Sequence, residues 1–464
     1  MFLGKQNKIF LQIMEPTAAL NKLKVQVTNK QILSIALPIT LSVLIPQINM
    51  LINSVFLGSV SEEALGNAGI TAVYYLIFAV AGHGLNNAMQ TVFSKNAGSG
   101  HHYNFKIILA QGIRISLLFA CIGIAFTWLI APYIMQQVTS AAAYPQEMAF
   151  LKIRIWGLPF LYLFQMGNAF LVASLNSKYL IIAFVVDAAV NILFDYLLIF
   201  GHGGFNAMGF NGAAVASIIA EFAGMAIVLV VLIATGIKKE YGLLQSFAYH
   251  KKISNEVLKI SLPLVGQYVI SVTTWLIFFL LLEGRGQMAK AISNVMRNVF
   301  GLAGVFVWAF AATSNTMVGN LMGQNRQADV LPAITKIMYW SIAFCCVPVL
   351  ILNIYPQVFF SLFQQNNLFI QEGTSVIRMV SLGIMLMSIA NIWLNGVTGT
   401  GNTKINLAIE LVAISLYMGY TWYFMKINYV SLAMAWSNEF VYWSSIFLLS
   451  FLYLKSGRWK GVKG

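Results

Sequence analysis

Apolar residues are grouped along this chain in long stretches separated by short polar segments. Each stretch exceeds the roughly 20 residues that an α-helix needs to cross the apolar core of a bilayer. The pattern predicts twelve membrane-spanning helices, at residues 32–57, 65–94, 105–130, 148–174, 178–200, 208–236, 256–283, 292–317, 332–355, 375–400, 404–426 and 430–454. Several exceed the minimum length, so we expect helices that tilt or extend beyond the bilayer.

The two halves of the chain repeat each other at one constant offset. Leu33, Ile35, Leu37 and Pro38 match Leu258, Ile260, Leu262 and Pro263, and the same offset pairs Ala64 with Ala289 and Gly98 with Gly323. Each half opens with a Leu-Pro pair inside an apolar stretch and contains six of the predicted helices. Duplicated halves are typical of alternating-access transporters, which handle their substrate where the two repeats meet.

Composition and charge agree with a membrane protein and orient it. Hydrophobic residues make up 59% of the chain and charged residues 9%, which excludes an ordinary soluble protein. Lysine and arginine are concentrated before the first predicted helix, after the last one, in the central loop and in short even-numbered connections. By the positive-inside rule, both termini and the central loop are cytoplasmic, and the protein is expected in the cytoplasmic membrane.

This topology defines the fold class and the domains. We predict an all-α polytopic membrane protein with twelve transmembrane helices in two six-helix lobes. The segments are a cytoplasmic N-terminal tail (1–30), an N-lobe (31–236), a cytoplasmic inter-lobe loop (237–255), a C-lobe (256–455) and a cytoplasmic C-terminal tail (456–464).

Several function classes are excluded by the same residues. The net charge of +14 is spread over the predicted cytoplasmic loops and ends, where anionic lipid headgroups rather than nucleic acid are its partners. Cys121, Cys345 and Cys346 lie within predicted helices without ligand-like spacing, so we expect no metal site and no cofactor. Only His83 lies near the interior of a predicted helix, which argues against an enzyme.

Ionisable residues at membrane depth usually face a bundle interior or a wet cavity, because exposure to lipid is costly. Asp187, Asn191 and Asp195 recur every four residues on the fifth predicted helix and therefore share one face. Burial of a carboxylate favours its protonated form. Alternatively, carboxylate, amide and hydroxyl oxygens can coordinate a sodium ion, with Ser217 of the sixth predicted helix as the hydroxyl. The first predicted helix adds Gln47, Asn49 and Asn53, of which the last two share a face.

Glu221 and the two early prolines each have two interpretations, whereas two acids of the second half have no assigned role. Glu221 lies one turn beyond Ser217 and either lines the same cleft or pairs with a buried basic residue. Glu410 and Glu439 are the membrane acids of the second half, without an assigned role. Pro38 and Pro263 lie early in equivalent helices, where a missing hydrogen bond permits either hinge bending or a static kink.

In these features the chain resembles the multidrug and toxic compound extrusion (MATE) transporters of the MOP flippase superfamily. The resemblance extends over residues 30–455. It rests on residues 36–38 (Ala-Leu-Pro), 56–58 (Phe-Leu-Gly), 96–98 (Asn-Ala-Gly), 191–201 (Asn-Ile-Leu-Phe-Asp-Tyr-Leu-Leu-Ile-Phe-Gly), 209–214 (Gly-Phe-Asn-Gly-Ala-Ala) and 399–404 (Gly-Thr-Gly-Asn-Thr-Lys).

The resemblance implies two lobes related by a pseudo-twofold axis, a monomer, and export of amphipathic, often cationic organic compounds against proton or sodium entry. It also implies an N-lobe cation site that maps onto Asn191, Asp195 and Ser217. The aspartate usual on the first helix of the family falls on Asn53, so Asp195 is the principal charge, and Asp187 is a candidate to compensate. A C-lobe sodium site with acids on the seventh and tenth helices is not expected, because the matching stretches around Ser271 and Ser388 have none.

A flippase for lipid-linked oligosaccharide or polysaccharide precursors is the alternative within the same superfamily. Such a protein should present arginines to a pyrophosphate. Here Arg114, Arg154, Arg297 and Arg378 mostly lie near the ends of predicted helices, whereas Asp187 and Asp195 lie at depth. The sign of the buried charge therefore favours a cationic substrate.

Overall fold

The computed structural model describes residues 22–101, 104–245, 247–283, 285–361, 367–427 and 430–461. The predicted N-terminal tail lies outside the described residues as far as residue 21. Twelve long helices occur within these ranges: α1 (Asn29–Val60), α2 (Glu62–Gly98), α3 (Phe105–Leu129), α4 (Tyr144–Ala173), α5 (Leu180–Phe200), α6 (Phe210–Ala234), α7 (Lys251–Glu283), α8 (Gln287–Gly323), α9 (Val330–Ile354), α10 (Asn367–Gly399), α11 (Thr403–Trp422) and α12 (Asn438–Lys455).

The helices agree with the predicted all-α membrane fold, and the first eleven are long and apolar enough to cross a bilayer. α12 is shorter because the predicted span 430–454 is divided: a short helix, Leu432–Trp436, precedes it. Several helices begin earlier than predicted. α7 begins at Lys251, inside the predicted loop 237–255, and α10 begins at Asn367. Polar residues at the membrane surface continue a helix beyond its apolar core, and hydropathy alone does not detect them.

Two kinds of interruption shape the membrane helices. The 3₁₀ turn Ile155–Gly157 interrupts α4 just before Pro159, and this combination is a recognised cause of a kink. Pro38 and Pro263 instead lie inside the uninterrupted helices α1 and α7, and α1 has a second proline, Pro46. Each removes one backbone donor from its helix.

The helices form two lobes, α1–α6 and α7–α12. Inside the N-lobe α5 packs on α1 and α6, and α4 on α2, α3 and α6; inside the C-lobe α10 packs on α8, α9 and α12, and α11 on α7 and α12. Between the lobes α2 packs on α7 and α8, and α1 packs on α8. The repeat-related ends of α2 and α8 cross closely. A Cβ atom at Gly98 would collide with the carbonyl oxygen of Asn320, and one at Gly323 with that of Lys95.

Two extended segments cross between the lobes at the end of the bundle predicted to be cytoplasmic. In the N-terminal strap (residues 23–27), the Val25 N–H donates to Asn320 Oδ1 (3.0 Å), and Asn320 Nδ2 donates to the Leu23 carbonyl (2.8 Å). In the linker strap (residues 247–250), Gln111 Nε2 donates to the Ala248 carbonyl (2.9 Å). Leu23 and Ala248 are related by the offset of the repeat, so each lobe holds the strap that leads into the other.

Candidate functional site

The site predicted in the N-lobe brings together α1 and α5. Asn49 Nδ2 and Asn53 Nδ2 both donate to Asn191 Oδ1, at 2.8 and 2.9 Å. Asn49 and Asn53 are one helical turn apart on α1, so both amides reach the same oxygen of α5. The predicted association of Asn53 with Asn191 is therefore present, and Asn49 is part of the same cluster.

Asp195 lies one turn beyond Asn191 and is completely buried. Neither of its carboxylate oxygens accepts a hydrogen bond from the described part of the chain, and the same is true of Asn49 Oδ1 and Asn53 Oδ1. One buried donor, Asn191 Nδ2, is also without a partner. Buried polar groups are normally hydrogen-bonded, so an unpartnered carboxylate with a local excess of acceptor oxygens is unusual. Chemically, this donor set suits a proton or a small monovalent cation.

Ser217 lies on α6, which packs closely on α5. Its hydroxyl forms no hydrogen bond with Asp195 or Asn191, and its side chain is half-buried. A role for Ser217 in the cation site stays a prediction. The geometry joins the first and fifth helices directly but does not extend the polar cluster to the sixth by a hydrogen bond.

Glu221 belongs to a different cluster. Arg154 forms a bidentate ion pair with it, with Nη1 2.9 Å from Oε2 and Nη2 2.5 Å from Oε1. The guanidinium carbon lies 3.8 Å from the centre of the Tyr75 ring, and the Tyr75 hydroxyl donates to Glu221 Oε1 (3.1 Å). Of the two interpretations of Glu221, the structure therefore supports the buried partner of a basic residue.

The backbone of α4 makes room for this ion pair. A Cβ atom at Gly157 would overlap both Glu221 Oε2 and Arg154 Nη1, so glycine at the end of the 3₁₀ turn leaves space for the ion pair in its observed position. Sequence reasoning placed Arg154 near the end of a membrane helix and missed this pairing. The Arg-Ile-Trp-Gly-Leu-Pro order at 154–159 was the available signal, because Gly and Pro together mark a helix interruption.

Asp187 lies near the cluster of Arg154 and Glu221 rather than in the cluster of Asn191 with Asn49 and Asn53. It lies against Gly224 of α6 and within electrostatic range of Arg154 and Glu221. The face shared by Asp187, Asn191 and Asp195 is thus divided by its neighbours into two environments. The hypothesis that Asp187 compensates for Asn53 is untested, and its position nearer Arg154 gives it a charged partner of its own.

A second polar cluster, which sequence reasoning did not identify, joins the lobes where α2 meets α8. Gln90 Nε2 donates to Thr316 Oγ1 (2.5 Å) and to the Ala312 carbonyl (2.7 Å). Asn315 Oδ1 accepts from Thr91 Oγ1 (2.8 Å), and Asn315 Nδ2 donates to the Asn87 carbonyl (3.0 Å). We call Gln90, Thr91, Asn315 and Thr316 the inter-lobe lock.

The residues of the inter-lobe lock are related to one another by the sequence repeat. The offset that relates the two halves of the chain pairs Gln90 with Asn315, Thr91 with Thr316, and Asn87 with Ala312. Each amide therefore donates to a backbone carbonyl of the opposite lobe and contacts a threonine hydroxyl there, although Gln90 donates to the Thr316 hydroxyl and Asn315 accepts from the Thr91 hydroxyl. All four side chains of the lock are at most 1% exposed. Together with the two straps, these contacts hold the lobes together at the predicted cytoplasmic end.

Comparison with known proteins identifies the family. The MatE family model matches residues 38–197 and 263–422, more than half of the chain, and the two matches are related by the offset of the repeat. The probable multidrug resistance protein NorM of Thermotoga maritima is 23% identical over 452 residues, 95% of both chains. The protein of that name from Synechocystis sp. is 20% identical over 84% of this chain and 86% of its own.

Solved structures share the fold at low identity. An outward-facing multidrug resistance MATE family transporter of the MOP superfamily gives a TM-score of 0.85 at 14% identity, over 95% of this chain and 98% of its own. A MOP superfamily transporter from Pyrococcus furiosus gives 0.82 at 15% identity, over 95% and 97%. With the family model matched once in each half of a two-lobe helical bundle, this chain belongs to the MatE family, the multidrug and toxic compound extrusion transporters.

Proposed function

We propose that the protein exports amphipathic, cationic organic compounds in exchange for an inward-moving proton or sodium ion, by alternating access of its two lobes. The observation that carries the proposal is the buried Asp195, whose carboxylate oxygens have no hydrogen-bond partner in the described chain, one helical turn from the cluster of Asn191 with Asn49 and Asn53. A buried carboxylate is stable only when it is neutralised, hydrogen-bonded or paired with a cation. Asp195 is therefore the residue at which the coupling ion binds, with Asn191 positioning the α1 amides.

The substrate class follows from family membership and from charge. The relatives named above are probable multidrug resistance proteins, which supports small organic molecules as substrates. In the N-lobe, Arg154 is neutralised by Glu221, and the fully buried ionisable side chains of the described residues, Asp195 and Glu147, are both acids. This sign favours cations over the pyrophosphate of a lipid-linked sugar.

Coupling requires that the ion and the drug prefer different states of the two lobes, since equal affinity for both states shifts nothing. Asn49 and Asn53 connect the ion site to α1, which contains Pro38 and Pro46. An ion bound at Asp195 would draw the amide oxygens of α1 toward it and change the bend of that helix. Pro263 removes a backbone hydrogen bond from α7 of the C-lobe, so that helix can bend at the equivalent position.

The proposal includes a location and an assembly state. The protein acts as a monomer in the cytoplasmic membrane, with both termini in the cytoplasm, no partner protein and no cofactor. Accessibility of single cysteines introduced at Lys178 and Lys404 to a membrane-impermeant reagent tests the orientation, because both side chains are exposed at the end of the bundle that holds the straps.

The decisive experiment is efflux of a fluorescent cationic dye from proteoliposomes, with proton and sodium gradients imposed separately. We expect export driven by one of the gradients and abolished in Asp195→Asn, which keeps the shape of the side chain but removes its charge. The matched control is Asp329→Asn, the same change at an exposed residue that pairs with Arg326.

Normal driven export by a folded Asp195→Asn variant would contradict the assignment of the ion site. If neither gradient moves the dye in folded wild-type protein, cation-coupled drug export is contradicted. That second outcome would direct the next assay to lipid-linked oligosaccharides, the alternative substrate class in the superfamily.

A further inference from the structure

The C-lobe contains a buried acid that the N-lobe mechanism does not use. Glu410 of α11 is 1% exposed and accepts hydrogen bonds from three side chains. Gln267 Nε2 (3.3 Å) and the Ser271 hydroxyl donate from α7, and the Tyr442 hydroxyl (2.5 Å) donates from α12. Because the donors lie on two neighbouring helices, the Glu410 carboxylate links α11 to both α7 and α12 by hydrogen bonds.

The surroundings of Glu410 contain titratable groups but no opposite charge. The described part of the chain places no lysine or arginine within ion-pair distance of it. The titratable neighbours are Tyr268 on α7, Tyr442 and Glu439 on α12, and Tyr417 on α11 itself. On the α10 side Thr398, which does not titrate, contacts Asn406, one helical turn before Glu410. The charge of Glu410 is therefore balanced by hydrogen-bond donors and not by a cation of the described residues.

Hydrogen bonds continue from this carboxylate to the inter-lobe lock. Gln267 Oε1 accepts from Asn406 Nδ2 (2.7 Å), which also lies 3.1 Å from Thr398 Oγ1. The Thr398 carbonyl is 3.5 Å from the hydroxyl of Thr91, a member of the lock.

A second path runs along α7. Tyr268, next to Gln267 in sequence, accepts a hydrogen bond from Asn87 Nδ2 of the N-lobe. The carbonyl of Asn87 in turn accepts from Asn315, another member of the lock. Glu410 is therefore connected to the contact between the lobes by two routes that share the α7 segment 267–268.

We propose that Glu410 is a second proton-binding site, in the C-lobe, and that its protonation weakens the contact between the lobes at the predicted cytoplasmic end. The proposal deepens the proposed function and rests on it: coupling would then involve two carboxylates, Asp195 in one lobe and Glu410 in the other.

The chemistry of the shell gives the direction of the effect. A proton on Glu410 has to be donated in turn, and the Ser271 and Tyr442 hydroxyls can rotate to accept it. Gln267 faces Glu410 with Nε2, which can only donate, and turning its Oε1 toward Glu410 would take that oxygen away from Asn406. Protonation also removes the charge that strengthens all three bonds. The hydrogen bonds that hold Gln267 and Tyr268 of α7 in place are then weaker, and so is the contact between α7 and α2.

The test measures the distance between spin labels at Lys178→Cys and Lys404→Cys, one in each lobe, as a function of pH. The background replaces the native Cys121, Cys345 and Cys346. In otherwise wild-type protein we expect the longer-distance population to grow as pH falls. Glu410→Gln should show the longer distance already at high pH, with about a tenfold change in the ratio of the two populations, equivalent to one charge-assisted hydrogen bond.

Two further variants complete the design. Glu439→Gln is the matched control, because Glu439 is an equally buried acid of the C-lobe that accepts a hydrogen bond from Trp443 of its own helix. Gln267→Met keeps Glu410 but removes the link to Asn406, and it should favour the longer distance without abolishing the pH response. This variant keeps the proposal testable if Glu410→Gln does not fold.

The outcomes separate this proposal from the proposed function. A pH response that is unchanged in Glu410→Gln, or lost equally in Glu439→Gln, overturns the second site. A response that is lost in Asp195→Asn and retained in Glu410→Gln also overturns it, while leaving coupling at Asp195 intact. A Glu410-dependent response in protein that exports nothing under either gradient supports the proton site and refutes the proposed function.

Discussion

The inter-lobe lock makes a quantitative prediction about the state in which the lobes are joined. Asn315→Ala removes two hydrogen bonds across the lobes, to Thr91 Oγ1 (2.8 Å) and to the Asn87 carbonyl (3.0 Å). The Thr91 hydroxyl keeps a second acceptor in its own helix, the Asn87 carbonyl at 3.0 Å, so the variant leaves it partnered. At about 0.5–1.5 kcal/mol for each bond, the joined state should lose about 1–3 kcal/mol.

A loss of this size changes the ratio of joined to separated lobes by about 5- to 150-fold. Because Gln90 makes the repeat-related contacts to Thr316 and Ala312, Gln90→Ala should act in the same direction. The double variant should approach the sum of both free energies, since each amide bonds to its own pair of partners. A strongly asymmetric result would show that the two halves of the lock are not equivalent.

Distances between spin labels at Lys178→Cys and Lys404→Cys measure this ratio directly, at constant pH and without substrate. The matched control is Asn395→Ala, which also removes two hydrogen bonds of a buried asparagine, both of them to Asn391 within α10. We expect a longer-distance population in Asn315→Ala and none in the control. Identical distance distributions in wild type and Asn315→Ala would refute the idea that these hydrogen bonds close the lobes.

Three other expectations follow from the contacts of the structure. Glu221→Gln should lower the free energy of unfolding by about 1–3 kcal/mol, because Arg154 loses its bidentate partner and keeps only Asp187 as a nearby acid. The double replacement of Arg154 by Met and Glu221 by Gln should recover much of this loss, and chemical denaturation in detergent measures both. Gly98→Ala should lengthen the same spin-label distance, because its Cβ would collide with the Asn320 carbonyl, and an unchanged distance would contradict the close crossing. Asn320→Ala should expose the N-terminal strap to limited proteolysis, whereas cleavage at the wild-type rate would show that other contacts hold the strap.

Much of this molecule was determined by its sequence. The long apolar stretches require membrane helices, because backbone polar groups in lipid have to be satisfied within each segment. The constant offset between the two halves predicted two equivalent lobes. The four-residue spacing of Asn191 and Asp195 placed both on one helical face. These are local or periodic properties, and they do not depend on how helices meet.

The partners of each polar residue were decided by the tertiary structure alone. Sequence could place Asp187 and Asp195 on one face of α5, but packing gave one of them charged neighbours and left the other unpartnered. Sequence likewise left open whether Glu221 lines the cleft, and the packing of α4 on α6 brought Arg154 to it. The reason is geometric: each residue along a helix advances about 1.5 Å and turns about 100°, so a small shift or rotation at a crossing exchanges one partner for another.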